Sequence, residues 1–278
     1  MVAPDPPGSG RPTGPSRLSL ASFNVHCGVD GWGRPFEVVA ECAALDADIL
    51  VMQESWGPDD GSPSTAARVA DQLGYQRVEV PMAHGRLYRP DPRADRRWSS
   101  LGHAHDTLRL DGGQRGGRVA DRQVRPFDTG TFSVAVLSRV PFTATQVVEL
   151  GKLRQDPAHR LVITGTVAVG GATLTVLGTH MSHLLHRSPV QYLRLRGAVP
   201  PTEVPAVLAG DMNLWGPAVT TFLSGWHRAI RGRTWPAWRP HSQLDHVLVT
   251  PAVSVIDASV ASATGSDHRP VRVTLAID

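Results

Sequence analysis

The chain has 278 residues, is 41% hydrophobic and carries a formal charge of only +3, with Lys152 its sole lysine. That length supports one large α/β domain or two ordinary ones with a sizeable core, since such domains run to about 250 residues. Cys27 and Cys42 are too few for a disulfide framework or a thiolate zinc site, no stretch offers the ~18 apolar residues of a spanning helix, and the small charge excess permits a phosphate-bearing partner without demanding one.

Residues 1–17, "MVAPDPPGSGRPTGPSR", are rich in Pro, Gly and Ser and have no apolar h-region. They are expected to form a disordered tail, neither signal peptide nor anchor, ahead of a soluble, cytoplasmic, monomeric domain over 18–278. "RLSLASFNV" reads as a strand, "RPFEVVAECAALDA" has helical spacing at Phe36, Val39, Ala40 and Ala43, and "DILVMQE" is again strand-like. A second helix is predicted in "STAARVADQLG", with Ala67, Val69, Ala70 and Leu73 on one side.

Residues 84–128 break this rhythm. They are rich in Arg, Asp and Gly with little periodicity, and are expected to form an irregular loop excursion from the same domain. Beyond them "SVAVLSR", "RLVITGTVAV", "ATLTVLGTHM", "VPAVLAGDMN", "LDHVLVT" and "VRVTLAI" read as strands, and "SPVQYLRLRGAV" as a helix begun at Ser188-Pro189.

Several apolar runs stop at a polar residue. Asn24, Glu54, His180, Asp211 and Asn213 follow strands, Asp245 begins one, and Asp267-His268 precede the last. Singly, each is a common turn or surface residue. Together they suit phosphoester hydrolysis assisted by a hard divalent ion, which prefers carboxylate, amide and water oxygens and polarises a phosphoryl oxygen. A histidine oriented by a carboxylate is then a suitable general base near neutral pH.

The ordered series "FNVH", "QES", "GTHMSH", "GDMN", "QLDHVLV" and "GSDHRPV" resembles the endonuclease/exonuclease/phosphatase superfamily, metal-dependent phosphoesterases that include deoxyribonuclease I, over residues from about Leu18 to Ile277. The resemblance implies a four-layer α/β sandwich, two mainly antiparallel sheets packed face to face with helices outside. It implies Mg2+ or Mn2+ held by Asn24, Glu54 and Asp267. It implies catalytic roles for Asp211, Asn213 and His180, the last binding the phosphate and helping to protonate the leaving group, and His268 as general base partnered by Asp245. The substrate class it implies is a phosphate ester: nucleic acid, phosphorylated lipid or small molecule.

His26 stands where many nucleic-acid-cutting relatives carry an acid, and no clear counterpart exists for the tyrosine of abasic-site enzymes, since Tyr88 lies in the excursion. His183 and His186 are one helical turn apart but lack a catalytic zinc helix pattern, so His183 and Arg194, with Arg187 and Arg196, are read as substrate contacts or as a solvated helix face. Trp235 in "RTWPAWRP" is a candidate substrate contact from a Pro-rich loop leading to Asp245. A binding-only member of the same fold is the alternative to an enzyme.

Overall fold

The computed structural model describes residues 16–89, 107–112, 126–183, 188–262 and 265–277. The opening run folds as β1 (Ser16–Asn24), α1 (Val38–Ala44) and β2 (Ile49–Pro58), followed by α2 (Thr65–Leu73), β3 (Gln76–Tyr88), β4 (Leu108–Leu110) and β5 (Phe127–Ser138). Next come β6 (Phe142–Lys152), β7 (His159–Val169), β8 (Ala172–His180), α3 (Pro189–Ala198), β9 (Ala206–Asp211) and α4 (Ala218–Phe222). β10 (His227–Arg228), β11 (Asp245–Val249), β12 (Val253–Val260) and β13 (Val271–Ile277) complete the described chain.

The strands form two sheets, in the orders β12-β13-β1-β2-β5-β3-β4 and β10-β11-β9-β8-β7-β6. Each sheet has one parallel pair, β1 with β2 and β8 with β9. In each pair a helix, α1 or α3, connects the two strands, the crossover that a parallel pairing requires. All other pairings are antiparallel, as expected for the sandwich.

Period-2 alternation sorts the apolar residues into three buried layers. From β1 and β2, Leu18, Leu20, Ile49 and Val51 meet Ile163, Val176, Val207 and Ala209 of the second sheet. Their alternate neighbours Ala21, Phe23, Leu50 and Met52 pack under α1 and α2 with Val38, Cys42, Val69 and Ala70. On the far side Leu177 and Leu208 pack under α3 and α4 with Tyr192, Leu195 and Val219. The order is helix, sheet, sheet, helix. Local signals agree: Ser64 caps α2 by accepting from the Ala67 amide at 3.0 Å, and Gly74 ends it in the left-handed region.

Periodicity does not reveal β3, β6, β12, β10 or α4. β6 and β12 are edge strands with mostly exposed side chains, and so lack a buried stripe. β3 contains Pro81 beside a bulge in its pairing with β5, a residue that ordinarily argues against a central strand. Within the expected excursion, residues 84–88 finish β3, Leu108–Leu110 form β4, and Phe127 starts β5; 90–106 and 113–125 lie outside the described residues, as does the 1–15 portion of the expected tail. Among the described residues no helix is long and apolar enough to cross a membrane.

Two motif glycines have packing reasons. A Cβ on Gly178 would lie 2.5 Å from Val136 Cγ2, where the sheets approach each other, and one on Gly210 would lie 2.0 Å from the Thr179 carbonyl oxygen. Gly210 also sits at φ 154. Gly210→Ala should therefore force β8 and β9 apart and cost on the order of 3 kcal/mol of unfolding free energy, read as a lower urea midpoint at unchanged slope; an unshifted midpoint would show that the pair tolerates the methyl group.

Candidate active site

Strand direction brings the polar ends together. His180, Asp211 and Asp245 lie on one rung of the second sheet, since His180 pairs with Asp211 and Asp211 with Asp245. In the first sheet Asn24 is level with Gln53, one residue before Glu54. β13 runs antiparallel to β1, so the residues just before it return to the Asn24 end, where the Ser266 hydroxyl donates to the Asn24 carbonyl at 2.7 Å.

Simple alternation would put Glu54 on the helix-facing side with Leu50 and Met52. A bulge between Met52 and Ser55, with Glu54 at φ 59, redirects it. Asn24 Nδ2 then donates to Glu54 Oε1 and to Asp211 Oδ2, each at 3.1 Å. A single amide nitrogen thus holds two carboxylates from different sheets.

His268 Nδ1 hydrogen-bonds Asp245 Oδ2 at 2.9 Å, while its Nε2 faces Asp211 Oδ2 at 3.8 Å. His180 Nε2 lies 3.5 Å from Asp211 Oδ2, 3.9 Å from Glu54 Oε1 and 3.3 Å from Asn213 Nδ2. Asn213, at φ 49, is held by its own amide on Asp211 Oδ1 (2.8 Å) and by its side chain donating to the Met181 carbonyl (2.9 Å). Asp267 Oδ1 is 3.6 Å from His26 Nδ1, and its Oδ2 accepts from Trp235 Nε1 at 3.4 Å.

Burial and charge set the protonation. Burial, reinforced by Asp245, pushes Asp211 up to about 7 against the pull of His268. Burial would lower His268, but the Asp245, Asp267 and Asp211 carboxylates outweigh it and hold the imidazole well above its ordinary range. Burial, Arg160 and His268 together push His180 well below that range, so its imidazole is neutral. Asp267 stays low despite burial because His26, His268 and the Trp235 N–H favour its anion. The region holds more carboxylate than cation to match it.

Eight expected residues therefore come together: Asn24, Glu54, His180, Asp211, Asn213, Asp245, Asp267 and His268. Trp235 joins them through its indole N–H on Asp267, which makes it a support for that carboxylate. His183 is exposed at the end of a described segment. Arg194 is directed elsewhere: its Nη1 donates to the Leu150 carbonyl at 2.7 Å, so the guanidinium ties α3 to β6. His186 and Arg187 lie outside the described residues.

Three supports are not among the expected site residues, although His26 and His246 lie inside the motifs "FNVH" and "QLDHVLV". Arg160 and Asp156 form a buried ion pair at 2.7 Å, joined by the Ser182 hydroxyl, and Arg160 Nη1 donates to the His180 carbonyl at 3.3 Å. His246 Nε2 donates to the Leu214 carbonyl at 2.9 Å and so holds the turn that carries Asn213; burial keeps this histidine neutral, down at about 4. His26 donates its backbone N–H to Asn24 Oδ1 at 3.0 Å, fixing the amide that bridges the two sheets.

A model of the Endonuclease/Exonuclease/phosphatase family matches residues 21–268. Comparison with curated proteins by sequence finds no match. Among solved structures, an endonuclease/exonuclease/phosphatase from Beutenbergia cavernae is 21% identical, with a TM-score of 0.64 over 94% of this chain and 72% of that one. The human nocturnin catalytic domain with bound sulfate is 16% identical, TM-score 0.60, over 95% and 94%. A mannosyl-6-phosphatase from Bacteroides thetaiotaomicron is 15% identical, TM-score 0.57, over 93% and 99%. These likenesses share the fold, and the family match spans both the first-sheet residues Asn24 and Glu54 and the closing Asp267-His268. The chain belongs to the endonuclease/exonuclease/phosphatase family.

Proposed function

We propose that the protein is a divalent-metal-dependent phosphoester hydrolase acting on phosphodiesters, with Mg2+ or Mn2+ as the ion. The observation that carries this reading is the convergence of Glu54 and Asp211 on one amide nitrogen, beside a His268 backed by Asp245. The donor set fits a hard cation: it is oxygen-rich, buried and short of positive charge. Asp211, Asp245 and His268 offer ligand atoms within 4.8 Å of one another, but His268 Nδ1 and Asp245 Oδ2 already engage each other, and a cation on His268 Nε2 would leave that nitrogen unable to accept a proton. We therefore assign the ion to Glu54, Asn24 and Asp267, with Asp211 facing it. When bound, the ion supplies charge neutralisation and polarises the phosphoryl oxygen.

The chain's own residues do the rest. Neutral His180, with Nε2 turned to the carboxylates, and Asn213 Nδ2 offer hydrogen bonds to phosphoryl oxygens. His268 Nε2 takes the proton of the attacking water while Asp245 fixes its tautomer and steadies the imidazolium. His268 is a base only from its neutral form, which the three carboxylates oppose. The base is thus available only once their charge is balanced. A second reading is favoured by the position of Asp211 at about 7: this carboxylate takes the water proton and His268 steadies the developing charge.

Hydrolysis of bis(p-nitrophenyl) phosphate and of p-nitrophenyl phosphate, each with Mn2+ and with excess chelator, tests the proposal. The diester should turn over only with the ion, and faster than the monoester. A preference for the monoester would move the assignment to a phosphatase or a phospholipid or inositol-phosphate hydrolase. Absence of turnover on any ester with the ion bound would favour a phosphate-binding module.

A further inference from the structure

The loop between β10 and β11 is bolted to the residues that carry the candidate chemistry. The Ala237 amide donates to the Asp267 carbonyl at 2.7 Å, the Arg269 amide to the Thr234 carbonyl at 2.8 Å, and Arg269 Nε to the Ala237 carbonyl at 2.8 Å. At its far end the Thr234 hydroxyl accepts from the Leu244 and Asp245 amides at 3.1 and 3.2 Å. Whatever this loop displays is held rigidly beside Asp267-His268.

It displays arginines. Arg231, Arg233 and Arg239 are all exposed, and among the described residues none of the three forms an ion pair, a state they share with exposed Arg68, Arg109, Arg154 and Arg196; what sets them apart is their place on a loop anchored to Asp267. Arg228, in β10 at the start of the loop, adds a fourth arginine. Its Nη2 is hydrogen-bonded to Gln243 rather than to a carboxylate, and its Nη1 lies 4.0 Å from where a Cβ on Gly216 would stand. Burial and the repulsion of Arg231 both disfavour its charge. Like charges such as Arg228 and Arg231, held close enough to repel, are unfavourable unless an anion meets them.

The apolar side chains of the same loop turn inward. Trp235 reaches Asp267, Trp238 packs on Gly31 and Trp32, and Pro236 and Ala237 are buried. The loop therefore has little to insert into a bilayer. Next to Gly216, Trp215 is 63% exposed, two residues from Asn213. An open indole near the Arg228 guanidinium, with three further exposed arginines on the loop that follows, is the combination that holds a single-stranded polynucleotide, bases stacking and phosphates tracking the charge.

We propose that Arg228, Arg231, Arg233 and Arg239, with Trp215, form a binding rail for a single-stranded nucleic acid whose scissile phosphate enters the Asp211–His268 site. The assignment deepens the phosphodiesterase reading and rests on it for the word scissile; the rail itself is tested without turnover. The probe is a fluorescein-labelled oligothymidylate of roughly 20 nucleotides, with chelator present and anisotropy recorded across a salt series. Wild type should bind, with log Kd varying linearly with log salt. Arg231→Gln/Arg233→Gln/Arg239→Gln should bind at least about tenfold more weakly and flatten that slope by about 2, given ~0.7 per phosphate contact on single strands. Trp215→Ala should weaken binding about fivefold or more, the range for loss of one stacked base.

Thermal melts of each variant report folding, and Arg→Lys at the same three positions should restore the slope. Equal affinity and slope in wild type and triple Gln variant would overturn the proposal. So would binding to phosphatidylserine vesicles with none to the oligonucleotide. Oligonucleotide binding by a chain that hydrolyses no ester would support the rail and count only against the reaction.

Discussion

The double substitution Asp245→Asn/His268→Gln should lower kcat on bis(p-nitrophenyl) phosphate by about 10^2 to 10^4, the usual reach of a positioned proton-transfer group, with little change in melting temperature. The double variant is needed because Asp245 is fully buried and its second oxygen, Oδ1, has no hydrogen-bond partner. His268→Ala alone would leave that carboxylate unpaired, at a cost of about 3–5 kcal/mol, and a slow enzyme would be indistinguishable from an unfolded one. Replacing both removes the charge and keeps a polar pair. Retention of full kcat in the folded double variant would remove His268 from the reaction and shift the base to Asp211. In that case Asp211→Asn alone should abolish turnover.

Most of this site was legible because a strand with one buried face ends in a recognisable way: an apolar run of period two gives out, and the next residue is polar. That pattern marks Asn24, His180 and Asp211. The helix-sheet-sheet-helix order was accessible only through the family motifs, since periodicity alone does not say which strands pair. Glu54 was found by position, but its orientation depends on a bulge and a positive φ that no local propensity announces, because β-branched and aromatic neighbours would fit an unbroken strand equally well. Arg194 shows the opposite error. Closeness in sequence to His180 suggested a substrate contact, yet one face of α3 is spent on the second sheet, and the guanidinium follows it to Leu150. The Arg160–Asp156 brace was unreadable for a related reason: its spacing of four resembles a helix pair, but Arg160 lies in β7 and its purpose appears only when the end of β8 is laid beside it.

The metal-free protein should lose stability as pH rises from about 6.5 to 8, and Mn2+ or Mg2+ should restore it, more at pH 8 than at 6.5. The sign follows from the two groups that face each other. Asp211 stands at about 7 in the folded chain against 3.8 ordinarily, so between those values the fold holds a proton that the unfolded chain has released, and stability falls as pH rises, the last of this loss coming between about 6.5 and 8 as the carboxyl becomes fully ionised. His268 is raised above its ordinary 6.5; its contribution is complete below 6.5 and is lost as pH passes its folded value. His180 is shifted the other way, which disfavours folding at acid pH; its unfolded imidazole is half charged at 6.5 and neutral by about 8, so it opposes the trend only weakly, at the lower end of the window.

A cation among Glu54, Asp211 and Asp267 replaces the missing positive charge, and protons compete with it less at the higher pH. At about 100 times its Kd it should contribute ~2.7 kcal/mol, roughly 5–10 °C in melting temperature for a chain of this size. Glu54→Gln should reduce that gain at both pH values. Melting temperatures that ignore the ion at pH 8, or rise equally in wild type and Glu54→Gln, would mean that these carboxylates do not hold it.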